Sequence, residues 1–179
     1  MTARRGSYAI FIAILVLFGA PERATADVSE NFVKVLGRSI KFLSPPLSGE
    51  VSATIVYAGD SAPSRAQAKR IRVLITASPS AGPVTLAPRM SAANELTNAD
   101  TGGIIILTEM PSAEQEKAFA VAKATKALVI GTSKACANAG HCAVSIQTQP
   151  SIQITVNEST LSATGVSFDA AFLLLVDRV

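Results

Sequence analysis

Hydrophobic and polar positions follow two different periods along the chain, which predict helices and strands in turn. In residues 28–43 the apolar side chains recur every three to four positions, which predicts a helix that ends before residues 45–46, two prolines. Residues 51–59 are a short apolar run typical of a strand. Residues 72–76 also fit a strand, but a parallel sheet needs a crossover of about a dozen residues. We therefore predict a helix over residues 63–77.

Three further apolar runs predict strands of a parallel sheet, because near-continuous apolar sequence is typical of strands that are covered on both faces. These runs are residues 84–87, 103–108 and 127–131. Between the last two, Ser112 and Gln115 have the spacing of a capping box for a helix that ends near Lys126. A short helical piece is also predicted over residues 92–96.

The C-terminal part of the chain predicts an antiparallel hairpin. Apolar and polar residues alternate in residues 144–147 and 152–156, so we expect a hairpin with one wet face at the edge of the sheet. Residues 157–163 resemble a helical turn closed by Gly165. Residues 168–176 fit a helix and a strand equally well.

These elements predict one α/β domain over residues 27–179. Strands that alternate with helices favour a three-layer α/β/α sandwich, with a mostly parallel sheet and a C-terminal antiparallel hairpin. A chain of this length supports one hydrophobic core, and no linker, internal repeat or low-complexity segment divides it.

Residues 1–26 have the pattern of a secretory signal peptide. Two arginines precede an apolar run at residues 9–18, and small residues lie one and three positions before Asp27. The apolar run is shorter than the roughly 20 residues that a membrane-spanning helix needs. We therefore expect cleavage between Ala26 and Asp27, and a mature periplasmic protein that does not span the membrane.

The charge balance argues against a nucleic-acid-binding protein. The full chain has 16 Lys and Arg residues and 13 Asp and Glu residues. Loss of three arginines and one glutamate with the signal peptide lowers the net charge from +3 to +1. Because 49% of the residues are hydrophobic and only 16% are charged, the chain is also too apolar for intrinsic disorder.

Cys136 and Cys142 are the two cysteines of the chain. In an oxidising compartment such a pair forms a disulfide, which in so short a loop stabilises the fold by about 2 kcal/mol. One alternative is a metal site with His141, since thiolate and imidazole bind zinc or copper, but a fourth ligand is not identified. Another is a redox-active bond, although the spacing is not C-x-x-C.

Few residues are suited to catalysis. Gly59-Asp60-Ser61 resembles the nucleophile block of GDS-type esterases and lipases, which needs a general base near the serine. The single histidine, His141, adjoins Cys142, and Asn138 stands where such enzymes carry an aspartate. Glycine-rich phosphate-binding motifs are missing from the sequence. We therefore predict no catalytic residue, no cofactor, no metal and no enzymatic activity.

Several short blocks of the mature chain resemble the YfiR-like family of periplasmic proteins. They are residues 40–45 (IKFLSP), 56–60 (VYAGD), 96–106 (LTNADTGGIII), 128–131 (LVIG), 152–157 (IQITVN), 164–166 (TGV) and 173–176 (LLLV). Two departures stand out. Only Phe42 remains of the aromatic-rich end of the family's first helix, and residues 168–172 (FDAAF) replace its small hydroxyl residues and arginines.

The resemblance implies a non-enzymatic regulator that binds the periplasmic sensor domain of a membrane-anchored diguanylate cyclase and so restrains cyclic-di-GMP signalling. It also implies a disulfide after the fourth core strand, where Cys136 and Cys142 stand. The sequence is compatible with a homodimer. The alternative hypothesis is a small-ligand-binding protein that uses the crevice at the carboxyl ends of the strands, near residues 59–60 and 131–133.

Overall fold

A computed structural model of the protein describes residues 28–179. The signal peptide predicted over residues 1–26, with its cleavage site at Ala26 and Asp27, lies outside the described residues. The helices are α1 (Glu30–Ser39), α2 (Ala62–Ala77), α3 (Ser112–Thr125), α4 (Lys134–Asn138), α5 (Glu158–Thr164) and α6 (Ala170–Leu173). The strands are β1 (Leu43–Ser44), β2 (Gly49–Tyr57), β3 (Ser80–Ala81), β4 (Val84–Ala92), β5 (Gly103–Leu107), β6 (Leu128–Gly131), β7 (Val144–Gln147), β8 (Gln153–Val156), β9 (Ser167–Phe168) and β10 (Asp177–Arg178). Residues Ile40–Phe42 and Asn98–Asp100 form 3₁₀ turns.

Eight strands form one sheet in the spatial order β10-β8-β7-β6-β5-β2-β4-β3, and β1 pairs separately with β9. Strands β2, β4, β5, β6 and β7 are parallel, whereas β3 and β8 run antiparallel to their neighbours β4 and β7. The five parallel strands, numbered along the chain, have the order 2-1-3-4-5 of flavodoxin-like doubly wound folds. The winding direction reverses between β2 and β5, so the carboxyl ends of these two strands flank the topological switch point.

Apolar helix faces cover both sides of the sheet. On one side α1 and α2 bury Leu36 and Ile71 against strand residues such as Ile106. On the other side Ala122 of α3 packs near Val129 and the two cysteines. The predicted three-layer α/β/α sandwich with a mostly parallel sheet is therefore confirmed.

The segment that fitted both a helix and a strand is helix α2. Ala68, Ile71 and Ile75 lie on one buried helix face, which gives the segment a helical core contact. The Ser61 side chain caps the helix, because its Oγ accepts a hydrogen bond from the Ser64 backbone N–H at 3.2 Å. The prediction over residues 63–77 is confirmed within one residue at its start.

The capping box predicted at Ser112 and Gln115 does not form. Pro111 occupies the N-cap position in an extended conformation, so Ser112 is the first helical residue of α3. Gln115 instead donates from Nε2 to the Met110 carbonyl at 3.0 Å. Ser112 and Gln115 have the spacing of a capping box, but the helix begins one position earlier than a box requires, because Pro111 is the N-cap residue.

The helical piece predicted over residues 92–96 is also wrong. Strand β4 continues to Ala92 because it pairs with β2 along its whole length, and a turn follows in which the Glu95 N–H donates to the Ala92 carbonyl at 3.0 Å.

Pro88 lies beyond the two-residue stretch where β3 pairs with β4, on an edge where no ladder hydrogen bond is needed.

The predicted hairpin is β7 and β8, but it is not the edge of the sheet, because β10 pairs with β8 in parallel. Its polar face is not uniformly wet either: Ser145 and Thr155 are buried beneath α4, which contacts both strands. The undecided residues 168–176 continue from β9 into the one-turn helix α6 and a bend. The predicted helical turn over residues 157–163 is α5, and Gly165 closes it in the left-handed conformation.

Candidate functional site

The base of the crevice at the switch point is filled by the protein's own hydroxyl groups. The Ala58 N–H donates to Ser64 Oγ at 2.9 Å, and Ser64 Oγ lies 2.7 Å from Thr108 Oγ1. Thr108 Oγ1 donates to the Val56 carbonyl at 3.0 Å, so Ser64 must donate to Thr108. Ser64 and Thr108 are both buried, and this chain satisfies each hydroxyl as donor and as acceptor.

Two longer side chains close the rim of the same crevice. Arg65 donates from Nη2 to the Gly59 carbonyl at 2.6 Å, and its guanidinium lies 5.4 Å from the centre of the Tyr57 ring. Gln67 Oε1 accepts from the Glu109 N–H at 2.8 Å. The carboxyl ends of β2 and β5 are thus joined by side chains of α2.

The structure places Ser61 and His141 in different surroundings. Ser61 Oγ accepts from the first turn of α2, whereas His141 Nδ1 lies 3.5 Å from Ser112 Oγ at the start of α3. Within residues 28–179 no hydrogen bond joins this histidine to Ser61. The geometry gives Ser61 the role of a helix cap.

Cys136 and Cys142 form the predicted disulfide, with their Cα atoms 5.3 Å apart. Cys136 lies in the short helix α4, and Cys142 follows the turn after it, in the stretch where the sequence predicted a tight loop. Both residues are at most 2% exposed, and thiol–disulfide exchange requires access to a sulfur atom. In the described part of the chain, no three His, Cys, Asp or Glu side chains are placed to hold a metal ion.

Residues 131–133 are shaped by the disulfide and by the neighbouring strand. A Cβ atom on Gly131 would lie 2.5 Å from Cys142 Sγ and 3.1 Å from Cys136 Cβ. The Thr132 N–H donates to the Leu107 carbonyl at 3.2 Å, and Ser133 caps α4 by accepting from the Ala135 N–H. The glycine is thus explained by internal packing.

Replacing both cysteines with alanine is expected to lower the free energy of unfolding by about 2 kcal/mol, because the open chain gains loop entropy when it unfolds. Urea unfolding of the purified oxidised protein and of the double variant measures this difference. The single variant Cys136→Ala, which also lacks the bond, serves as the control and should be at least as unstable. Equal stability of all three proteins would contradict a structural role for the disulfide.

The C-terminal residues present an apolar surface to solvent. We call Ile152, Leu174, Leu175 and Val179 the tail surface. Leu174 is 84% exposed and Leu175 is 78% exposed, and they precede strand β10, which pairs with β8. Leu174 and Leu175 are the most exposed large apolar side chains of the described residues, so their segment is the candidate interaction surface.

The tail surface is held on a rigid support. Phe172 stacks on Phe42 with ring centroids 5.2 Å apart and contacts Phe168 at 4.6 Å. The Asp169 N–H donates to the Phe42 carbonyl at 2.8 Å. An ion pair between Arg178 and Glu158, 2.9 Å from nitrogen to oxygen, ties β10 to α5 at the surface. The leucines therefore project from a fixed turn.

No helix in residues 28–179 has the length and apolar character needed to cross a membrane. The sequence matches no protein-family model, and no curated protein matches it.

Two solved structures are similar in fold. One is a conserved domain protein from Vibrio cholerae O1 biovar El Tor, with a TM-score of 0.57 and 12% identity over 83% of this chain and 59% of that one. The other is the ABC domain from Streptococcus pneumonia in complex with L-Trp, with a TM-score of 0.53 and 11% identity over 78% of this chain and 57% of that one. The chain thus spans less than two thirds of either neighbour, and at these identities the likeness establishes a shared α/β fold.

Proposed function

We propose that the protein is an exported, non-enzymatic regulator that binds a membrane-anchored partner on the outer side of the membrane. The partner class is the one implied by the resemblance to YfiR-like proteins, a diguanylate cyclase with a periplasmic sensor domain. In this proposal the regulator restrains the cyclase by occupying its sensor domain. The protein itself needs no cofactor and no metal for this role.

The observation that carries the proposal is the tail surface. Full burial of one leucine side chain is worth about 1.5–3 kcal/mol, so Leu174 and Leu175 together offer a substantial part of a binding energy. Because Phe172, which precedes the leucines, packs against the rings of Phe42 and Phe168, little conformational entropy is lost when a partner covers the tail. An exposed apolar pair on an anchored turn is suited to docking against another protein.

Two further features support export and regulation. A buried disulfide is typical of proteins from oxidising compartments, which agrees with the signal peptide predicted from residues 1–26. The sequence departs from the YfiR-like pattern in two regions, and these regions supply the aromatic cluster of Phe42, Phe168 and Phe172. A partner surface adapted to this chain would be expected to differ from that of other family members in the same places.

Leu174→Asp combined with Leu175→Asp is expected to abolish partner binding and to change the free energy of unfolding by less than about 0.5 kcal/mol. The side chains are exposed in the free protein, so their loss affects only the complex. A photo-crosslinking amino acid can be placed at position 174 of the full chain, and the protein can be expressed in the organism that encodes it. Irradiation should then give an adduct with a membrane-anchored cyclase.

The matched control is Val73→Asp, an exposed apolar residue on α2 that is 62% exposed. It should leave the adduct unchanged, and the same crosslinker at position 73 should give none. A crosslink only to a second copy of the chain, or equal adducts from both positions, would contradict the proposal.

A second candidate function is small-ligand binding at the switch point between β2 and β5. Doubly wound folds commonly bind ligands there, and one solved structure of similar fold holds L-Trp. In this chain, however, the hydrogen-bonded pair Ser64 and Thr108 fills the base of that crevice. A ligand would have to bind above these hydroxyls, between residues 59–60 and 131–133.

A thermal-shift series with L-Trp tests the second candidate. A ligand at a hundred times its dissociation constant stabilises a folded protein by about 2.7 kcal/mol, which raises Tm by several degrees. The control variant is Asp60→Asn, which keeps the side-chain volume beside the crevice but removes an exposed negative charge. If L-Trp up to millimolar concentration leaves Tm unchanged, a role in binding this amino acid is excluded.

A further inference from the structure

A groove of about 370 Å³ lies between α1, the last turn of α2 and strand β3, on the sheet face opposite the disulfide. Its apolar lining includes Val33, Leu74 and Ala81. Val33 and Ala81 are buried and Leu74 is partly buried, so they form a floor rather than a rim. The volume is within the range of about 300–1,000 Å³ that is typical of small-molecule sites.

Cationic side chains of α1 and of the 3₁₀ turn after it line one wall of this groove. Lys34, Arg38 and Lys41 are spaced four and three residues apart, so they share one side of the helical segment. Lys34 pairs with Glu30 at 3.5 Å. In the described residues Arg38 and Lys41 form no ion pair, which leaves two positive charges beside the apolar floor.

Two glycines allow the wall and the floor to approach each other. At Gly82 φ is +71°, a backbone conformation that favours glycine, and an added Cβ would lie 2.5 Å from Lys41 Cε. At Gly37 an added Cβ would lie 3.2 Å from Ala81 Cβ. The Ser78 and Ser80 side chains stand on the opposite wall and add two hydroxyl groups.

We propose that this groove binds a small amphipathic organic anion, with its apolar body on Val33, Leu74 and Ala81 and its acidic group at Arg38 and Lys41. A carboxylate or sulfonate between these cations gains charge-assisted hydrogen bonds. Arg38 lies in the last turn of α1, where a cation is also stabilised by the helix dipole. The dipole does not explain why Arg38 and Lys41 together border an open apolar floor. The site is separate from the tail surface and from the switch point.

The probe that tests this site is 1-anilinonaphthalene-8-sulfonate, an apolar anion whose fluorescence rises when it binds. The chain has no tryptophan, so the dye emission can be followed with little protein background. Protein purified from cells that express the full chain should bind one dye molecule saturably. Arg38→Gln with Lys41→Gln should weaken the dissociation constant about tenfold or more, whereas Lys69→Gln with Lys117→Gln, an equal loss of charge on α2 and α3, should change it less than about twofold.

A second pair of variants tests the groove without removing its cations. Ala77→Glu places a bulky anion at an exposed position of the groove lining, and it should weaken dye binding at least as strongly as the loss of the two cations. Ala66→Glu lies on the same helix but outside the groove, and it should not weaken dye binding. Octanoate should displace the dye, and octylammonium should not. Failure of the dye to saturate, or equal effects of groove and control variants, would overturn the proposal.

Discussion

Replacing Gly131 with alanine is expected to lower the free energy of unfolding by about 3 kcal/mol, at the upper end of the cost of overpacking a core. The new Cβ would lie 2.5 Å from Cys142 Sγ and 3.2 Å from Cys136 Sγ. Neither sulfur can move away freely, because the two are bonded to each other and are buried between β6 and α4. For a domain of this size such a loss lowers Tm by about 6–12 °C, which a thermal melt followed by circular dichroism measures.

The control for this prediction is Gly102→Ala. An added Cβ at Gly102 meets only Ser52 Cβ, at 3.7 Å, and the residue is exposed, so the change should be within about 0.5 kcal/mol. In a background that carries Cys136→Ala and Cys142→Ala, the cost of Gly131→Ala should fall by more than about 1 kcal/mol, since the clashing sulfurs are gone. An unchanged cost in that background would contradict the steric explanation.

This result also separates structure from function at residues 131–133. Ligands of open α/β sheets bind at the carboxyl ends of the parallel strands, and the sequence placed Gly131 in a candidate crevice for that reason. The contact with Cys142 Sγ explains the same residue by packing alone. Loss of ligand binding in Gly131→Ala would therefore not identify a ligand contact, whereas loss in Asp60→Asn, whose side chain is exposed beside the crevice, would.

The parallel core of the fold could be predicted because its signal is local. Residues 103–108 and 127–131 are nearly continuous apolar runs, and they are strands β5 and β6 within one residue at each end. The helix over residues 63–77 was decided by the crossover length that a parallel sheet needs, a topological constraint that outweighed the strand-like residues 72–76. Both inferences needed only neighbouring sequence.

The C-terminal segment could not be predicted because long-range pairing determines it. Strand β10 has two residues, and it exists because the chain returns to pair with β8, while β9 pairs with β1 more than a hundred residues earlier. No local period distinguishes such strands from a turn. The same holds for the switch point, where Ser64 meets Thr108 across 44 residues of sequence. A threonine directly after an apolar strand was visible in the sequence, but its partner was not.

The cations of the α1 groove were within reach of the sequence. Lys34, Arg38 and Lys41 have helical spacing, and the pattern already predicted a helix there. The sequence did not reveal that β3 and the end of α2 would complete a groove beside them. Charge periodicity on one element indicates a charged face, but a site also needs the opposing wall, which only the tertiary fold supplies.

Asn157→Ala is expected to lower the free energy of unfolding by about 2 kcal/mol, because this one side chain has two separate roles. Its Oδ1 caps α5 by accepting from the Thr160 N–H at 2.9 Å, and its Nδ2 donates to the Ala137 carbonyl at 2.8 Å. Loss of a cap costs about 1 kcal/mol, and loss of the second hydrogen bond costs about 1 kcal/mol more, since the Ala137 carbonyl still accepts from the Gly140 N–H at 3.0 Å. The amide thus joins the end of the disulfide-bonded helix α4 to the start of α5.

Asn157→Ser separates the two roles, since its hydroxyl oxygen can still cap α5 and it lacks the amide that donates to Ala137. It should be less stable than the wild type by an amount that reports the link to α4, and Asn157→Ala should be less stable still. Ser133→Ala removes only a cap, that of α4, whose hydrogen bond is 3.3 Å long, and should cost no more than about 1 kcal/mol. Urea unfolding of the four proteins orders these costs. If Asn157→Ala cost no more than Ser133→Ala, the side chain would act as a cap alone, and the link between α4 and α5 would contribute nothing to stability.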